Sequence, residues 1–177
     1  EKIIQEIKET KKEPVAILLT HSHIDHILGL PELLKIYDVP VYLSEKEEHW
    51  LEDPYYNLSQ FFGQPFSFHR KTFPYEEHMT LGTFHFTTMK TPGHSIGGTT
   101  FYFKEDNMAI VGDTLFAGSI GRSDFPTGNG ATLIKSIQEK LFSLPQDTKI
   151  YPGHGPSTTI LKEMADNPFV GGQSVGE

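Results

Sequence analysis

The segment His21-Ser22-His23-Ile24-Asp25-His26 follows directly on the apolar run at 15–19. Three imidazoles and a carboxylate within six residues form a dense set of metal donors. The ordinary reading of such a stretch is a polar surface turn, and this spacing outweighs it. Where a strand end passes into a tight loop, alternate side chains point the same way. His21 and His23 can then share one ion, while Asp25 and His26 turn towards a neighbouring one. Three further donors sit at predicted strand ends. His94 lies in Thr91-Pro92-Gly93-His94-Ser95, Asp113 follows Ala109-Ile110-Val111-Gly112, and His154 lies in Tyr151-Pro152-Gly153-His154-Gly155-Pro156. A lone His or Asp at a turn is more often structural. Together these three repeat one device, a ligand presented where a strand becomes a glycine-containing loop. Five histidines and two aspartates suit two ions that share Asp113 and a solvent oxygen.

One chemistry open to such a pair is hydrolysis. Two cations about 3.5 Å apart lower the pKa of a water between them towards roughly 7. The hydroxide attacks an acyl carbonyl such as that of a thioester, and a cation stabilises the oxyanion. A thiol pKa near roughly 8.5 makes the thiolate a fair leaving group. Asp25 and Asp113 are the candidate catalytic carboxylates, Asp25 both binding metal and steering the nucleophile.

Composition narrows the field. The chain has 177 residues, 37% hydrophobic and 21% charged, with no cysteine and nine histidines. Without cysteine, disulfides, iron–sulfur clusters and thiol nucleophiles are excluded, and metal must be held by His, Asp or Glu. Imidazole and carboxylate suit two divalent ions, zinc first, with iron or manganese as alternatives. The net charge of −8 opposes a nucleic-acid partner. No apolar run approaches the roughly 18–20 residues that span a bilayer. A small-molecule substrate and a cytoplasmic location are expected. The chain opens at Glu1 with its first methionine at Met79, so it reads as part of a longer frame.

The elements that must position these donors follow from periodicity. Residues 1–11 read as a helix, 15–19 as a buried strand, 26–37 as a helix with a new turn at Pro31, and 41–43 as a short strand. Ser44-x-x-Glu47 fits a capping box opening another helix. Residues 50–75 form a long loop rich in aromatics, including Trp50, Tyr55, Phe61 and Phe62. It reads equally as a lid or as a flap packed on the core or in a homodimer contact. Strands are predicted at 79–81, 83–90, 99–103, 108–111 and 149–151, and helices at 131–142 and 158–165. One α+β domain over 1–177 accounts for the whole.

The series His-x-His-x-Asp-His, Thr-Pro-Gly-His, Gly-Asp-Thr and Pro-Gly-His-Gly resembles the metallo-β-lactamase superfamily. Gly118-Ser119-Ile120-Gly121-Arg122-Ser123-Asp124-Phe125-Pro126, with Asn167-Pro168, is similar to short glyoxalase II-like (hydroxyacylglutathione hydrolase-like) enzymes. The resemblance implies a four-layer αββα sandwich. It implies one metal held by His21, His23 and His94, a second held by Asp25, His26 and His154, and Asp113 bridging them. It also implies Arg122 as a substrate-binding residue, with an ion pair to Asp124 as the alternative. Family members usually begin with strands before the first helix, so this chain is expected to lack those strands. It is also expected to lack the C-terminal helical domain that grips glutathione.

Other readings share the motifs. A persulfide dioxygenase-like protein would use one iron on His21, His94 and Asp113. A lactonase or β-lactamase would use the same site with a different pocket. An oxygen-reducing diiron protein usually has Glu where His23 stands, and a non-catalytic binding module tends to lose ligands. His49, His69, His78 and His85 read as ordinary surface or strand histidines.

Overall fold

The computed structural model describes residues 2–172. Helix α1 (Lys2–Thr10) leads to strand β1 (Ile17–Leu18), then α2 (Ile24–Ile27), α3 (Leu30–Ile36) and β2 (Val41–Tyr42). Two 3-10 helices, Glu45–Leu51 and Ser59–Phe62, precede β3 (His78–Leu81), β4 (Phe84–Lys90), β5 (Thr99–Phe103) and β6 (Met108–Gly112). A small hairpin, β7 (Leu115–Phe116) and β8 (Ser119–Ile120), is followed by α4 (Gly130–Glu139), a 3-10 turn Leu141–Ser143, β9 (Lys149–Pro152), β10 (Thr158–Thr159) and α5 (Ile160–Asp166).

Six strands form one sheet in the order β10-β9-β6-β5-β4-β3, and β1 pairs with β2 in a smaller parallel sheet. Side chains alternate between faces along a strand, and the cores follow that alternation. Ile17 and Val41 pack with Ile27, Leu30 and Leu51 against α2 and α3. Their neighbours Leu18 and Tyr42 pack with Phe86, Phe101 and Phe103 between the two sheets. Tyr102, on the opposite face of β5, joins Ala109, Val111 and Ile150 under Leu133 and Ile137 of α4 and Ile160 of α5. The layers therefore run helix, sheet, sheet, helix.

This topology delivers the donors. Strand β4 is antiparallel to β5, β5 is antiparallel to β6, and β6 is parallel to β9. The C-terminal ends of β4, β6 and β9 therefore share one sheet edge, and the loops bearing His94, Asp113 and His154 begin there. Thr99 N–H bonds to Thr20 O at 2.9 Å, which brings the C-terminal end of β1 to the same edge.

Several local expectations are corrected. The helix expected over 26–37 is two short helices, and it begins earlier, at Ile24. Helix α1 forms with none of its residues buried. The capping box at Ser44 does not form: the Ser44 side chain makes no cap hydrogen bond, the segment is a 3-10 helix, and Glu47 is fully buried. The helix expected over 131–142 ends at Glu139 and continues as a 3-10 turn, and its N-cap is Asn129, whose side chain accepts from Thr132 N–H at 2.8 Å. Within the aromatic loop, Trp50, Leu58 and Asn57 are buried while Phe61 and Phe62 are 60% and 69% exposed. The loop is thus rooted in the core with an apolar tip in solvent.

Gly93 shows how tightly the turn before His94 is built. Its φ is +136°, and a Cβ there would lie 2.3 Å from the Cα and backbone N of Leu133 in α4. Backbone atoms cannot step aside as a side-chain tip can. Gly93→Ala is expected to destabilise the fold by about 4 kcal/mol or more. A melting temperature within a few degrees of the wild type would contradict this.

Candidate metal centre

The seven donors nominated by the sequence converge in two adjacent groups. His21, His23 and His94 form one, and Asp25, His26, Asp113 and His154 form the other; within each, one donor atom per residue lies within 4.8 Å of the rest. Asp113 sits between the groups. Its Oδ1 is 3.3 Å from His26 Nε2, and its Oδ2 is 3.5 Å from His154 Nε2 and 3.7 Å from His94 Nε2. His21 and His26 join the groups on the other side, with ring centroids 4.0 Å apart. The three-imidazole group is buried, whereas the side chains of Asp25 and His154 are 48% and 58% exposed. The centre is closed at its base and open above.

The donors fit a pair of cations on their own chemistry. His21 Nε2, His26 Nε2 and Asp113 Oδ1 are buried with no hydrogen-bond partner among the described residues. Buried polar atoms are nearly always satisfied, so a concentration of orphaned lone pairs at one point is what a cation site presents. His23 Nδ1 and His94 Nε2 face each other at 2.9 Å. His94 Nδ1 donates to the Arg122 carbonyl at 2.7 Å, which leaves its Nε2 lone pair turned inward. Asp25 Oδ2 and His154 Nε2 are 2.9 Å apart.

Electrostatics keeps the inner imidazoles neutral, the form that binds metal. Burial drives His23 down to about 3, with repulsion from His94 adding to it and Asp113 opposing. Burial likewise carries His21 well below the usual histidine value, helped by His26, His23 and His94. His94 is also lowered, by burial, against its bond to the Arg122 carbonyl and the charge of Asp113. His26 moves the other way: burial lowers it, but the Asp113 carboxylate 3.3 Å away and the charge of Asp25 outweigh that. Asp113 is pushed up by burial and held below its usual value by His26, His94 and His154.

These shifts set an acid sensitivity. Below pH 6.5 the unfolded chain takes up protons that folded His21, His23 and His94 refuse, so stability falls as pH drops. For His23 the window runs from 6.5 towards about 3. Its share between pH 6.5 and 5 is about 2 kcal/mol. Asp113 adds to the loss at lower pH and His26 offsets part of it. The metal-free protein should melt several degrees lower at pH 5 than at pH 7; equal melting temperatures would refute the assignment.

Arg122 makes the ion pair that the sequence offered as an alternative. Its Nε and Nη2 donate to the two carboxylate oxygens of Asp124 at 2.9 and 2.8 Å, and its guanidinium lies 4.2 Å from the Phe125 ring centroid. Its backbone, through His94, serves the centre directly. Arg122 and Asp124 also edge an open groove lined by Tyr55, Leu58, Phe61, Phe62, Phe125 and Pro126. The Phe125 ring reaches the centre, 5.7 Å from the His23 ring and 6.2 Å from that of His94. Trp50 stacks on His23 at 6.0 Å with an interplanar angle of 16°.

Two participants escaped the sequence reading. Glu47, which the sequence offers as a helix cap, is fully buried and accepts from the Ser22 and Gly97 N–H groups. Gly153 passes so close to Asp113 that a Cβ there would lie 2.1 Å from its Oδ1. Its neighbourhood in Pro-Gly-His-Gly was a visible signal, since a glycine beside a ligand often marks a close approach.

Comparison with known proteins agrees with this geometry. The Metallo-beta-lactamase superfamily pattern matches residues 1–154. A probable metallo-hydrolase of Streptococcus pyogenes is 45% identical over 96% of this chain and 76% of its own length. The hydroxyacylglutathione hydrolase GloC of Haemophilus influenzae is 37% identical over 98% of this chain and 84% of its own. Among solved structures, the BLEG-1 B3 metallo-beta-lactamase superposes with a TM-score of 0.91 at 41% identity, covering 96% of this chain and 83% of that one. The di-iron-bound form of TTHA1623 gives a TM-score of 0.86 at 37% identity, covering 96% and 84%. Fold, donor set and sequence together make this chain a member of the metallo-β-lactamase superfamily.

Proposed function

We propose that the chain is a binuclear metallohydrolase of acyl substrates, with a thioester as the preferred class. The observation that carries the reading is the convergence of seven His and Asp donors in two groups, with His21, His23, His26 and Asp113 each keeping a buried polar atom that has no hydrogen-bond partner among the described residues. His21, His23 and His94 would hold one cation and Asp25, His26 and His154 the other, with Asp113 between the two groups. Bound there, divalent cations supply Lewis acidity and a water acidified towards a pKa of about 7.

The rest is the work of the chain itself. Arg122 O fixes the His94 tautomer, and the neutral state of the buried imidazoles keeps protons from competing for their lone pairs. Asp25 and His154 form the solvent side, where the substrate carbonyl arrives. The groove of Tyr55, Phe61, Phe62 and Phe125 receives the rest of the substrate and excludes water beside the scissile bond. Water adds to the carbonyl carbon, the C–S bond breaks, and acid and thiol leave, the thiolate regaining the proton from water. No protein nucleophile is consumed. The identity to hydroxyacylglutathione hydrolase GloC supports a thioester, whereas the likeness to a B3 metallo-beta-lactamase favours a lactam as the second substrate class.

The test is metal content followed by a substrate panel. Two ions per chain with turnover of S-lactoylglutathione or another acyl thioester is the expected result. Lactam cleavage without thioester cleavage would select the second class. One iron per chain with oxygen uptake on glutathione persulfide would replace the hydrolase by a dioxygenase.

Among the described residues no helix is long and apolar enough to cross a membrane.

A further inference from the structure

We propose that Glu47 is a positioning residue for the cation site of His21, His23 and His94, its carboxylate tying together the two chain segments that carry those imidazoles. The inference rests on the reading of these three residues as metal donors.

Glu47 is fully buried. Its Oε2 accepts from the Ser22 N–H at 2.8 Å and from the Ser22 hydroxyl at 3.0 Å; its Oε1 accepts from the Gly97 N–H at 2.6 Å. Ser22 stands between His21 and His23, and Gly97 is three residues beyond His94. One side chain therefore bridges segments 25 and 50 residues away. Fixing the Ser22 N–H fixes the backbone from which His21 and His23 project. Fixing the Gly97 N–H does the same for the turn that carries His94.

A merely structural strap would not need this group. Burying a carboxylate is costly unless charge and hydrogen bonds compensate. Glu47 has three donors, but no Lys, Arg or His lies within ion-pair distance of it among the described residues. A cation held by the adjacent neutral imidazoles would supply the missing complement. The backbone is also shaped around it: a Cβ at Gly97 would lie 2.7 Å from Glu47 Cγ. Outer groups that orient ligands in this way commonly change metal affinity tenfold to a hundredfold when removed.

The experiment uses two variants with opposite defects. Glu47→Gln keeps the length but has one acceptor oxygen, so it cannot serve both segments. Glu47→Asp keeps the charge but is one methylene short of reaching both. Zn²⁺ is titrated into the metal-free wild type and each variant against a competing chromophoric chelator, and the metal-free melting temperatures are recorded beside it. The expected result is two Zn²⁺ per wild-type chain, with one binding step weakened tenfold or more in each variant and the other within threefold. Either variant binding both ions within threefold of the wild type overturns the proposal while leaving the metal centre intact. Equal weakening of both steps also overturns it, since that marks a general structural role. A wild-type chain that takes up fewer than two Zn²⁺ overturns the binuclear reading and this proposal with it. If the Gln variant does not fold without metal, the Asp variant decides by the same thresholds.

Discussion

Asp113→Ala should reduce acyl hydrolysis about a thousandfold, which corresponds to ~4 kcal/mol of transition-state stabilisation, while the protein still folds. Among the described residues Asp113 is the one carboxylate that lies beside both donor groups, facing His26 with one oxygen and His94 and His154 with the other. Its side chain is 10% exposed, so water cannot fill in for it at full strength. On the proposed binuclear reading its removal takes a ligand from each cation site, and it leaves the histidine cluster without its central negative charge. Zinc uptake should fall from two ions per chain to one or fewer. The backbone around it is held independently, by the Gly153 N–H on Gly112 O at 2.8 Å and by the β6–β9 pairing. Asp113→Asn keeps the volume and should lose nearly as much activity, which separates charge from shape. An alanine variant that binds two ions and hydrolyses within tenfold of the wild type would remove Asp113 from the centre.

The parts of this site that were legible in the sequence are those written locally. His21 to His26 follow a strand in six consecutive residues, and each of the other donors is announced by a glycine just before it at a predicted strand end. What joins them is not local. Asp113 and His154 meet because β6 and β9 are parallel neighbours, with Gly112 opposite Pro152. Nothing in either segment alone names the other, and their grouping around two metals was reached only through the family resemblance. Glu47 shows the opposite failure. Ser44-x-x-Glu47 carries a sound local signal for a helix cap, yet tertiary bonds to Ser22 and Gly97 outcompete it. A capping glutamate and a buried anchor have the same letter, and only the fold separates them. Arg122 is similar: the sequence allowed both substrate contact and pairing with Asp124, and the bidentate bond with the Phe125 stack below it gives the second a definite geometry.

Gly153→Ala should behave as an Asp113 variant without touching Asp113. The Cβ would meet Asp113 Oδ1 at 2.1 Å, His26 Cε1 at 2.9 Å and Asp113 Cγ at 3.4 Å. Gly153 does not occupy the left-handed region, so its backbone accepts alanine. The atoms struck belong to side-chain ends, and the cheapest relief is rotation of the carboxylate away from its position between the two groups. Stability should therefore change by no more than about 1–2 kcal/mol. Activity should fall about a hundredfold or more, equivalent to ~3 kcal/mol, with weaker zinc uptake. Gly155→Ala is the control, because it has the reverse character. Its φ is +79°, so alanine strains the backbone, but nothing lies within 4 Å of the new Cβ. That variant should lose about 1 kcal/mol of stability and keep most of its turnover. If Gly153→Ala hydrolyses at the wild-type rate with two ions bound, then the contact between this turn and the Asp113 carboxylate has no bearing on the chemistry. The pair of glycines thus separates the strain of the loop from the placement of one oxygen atom.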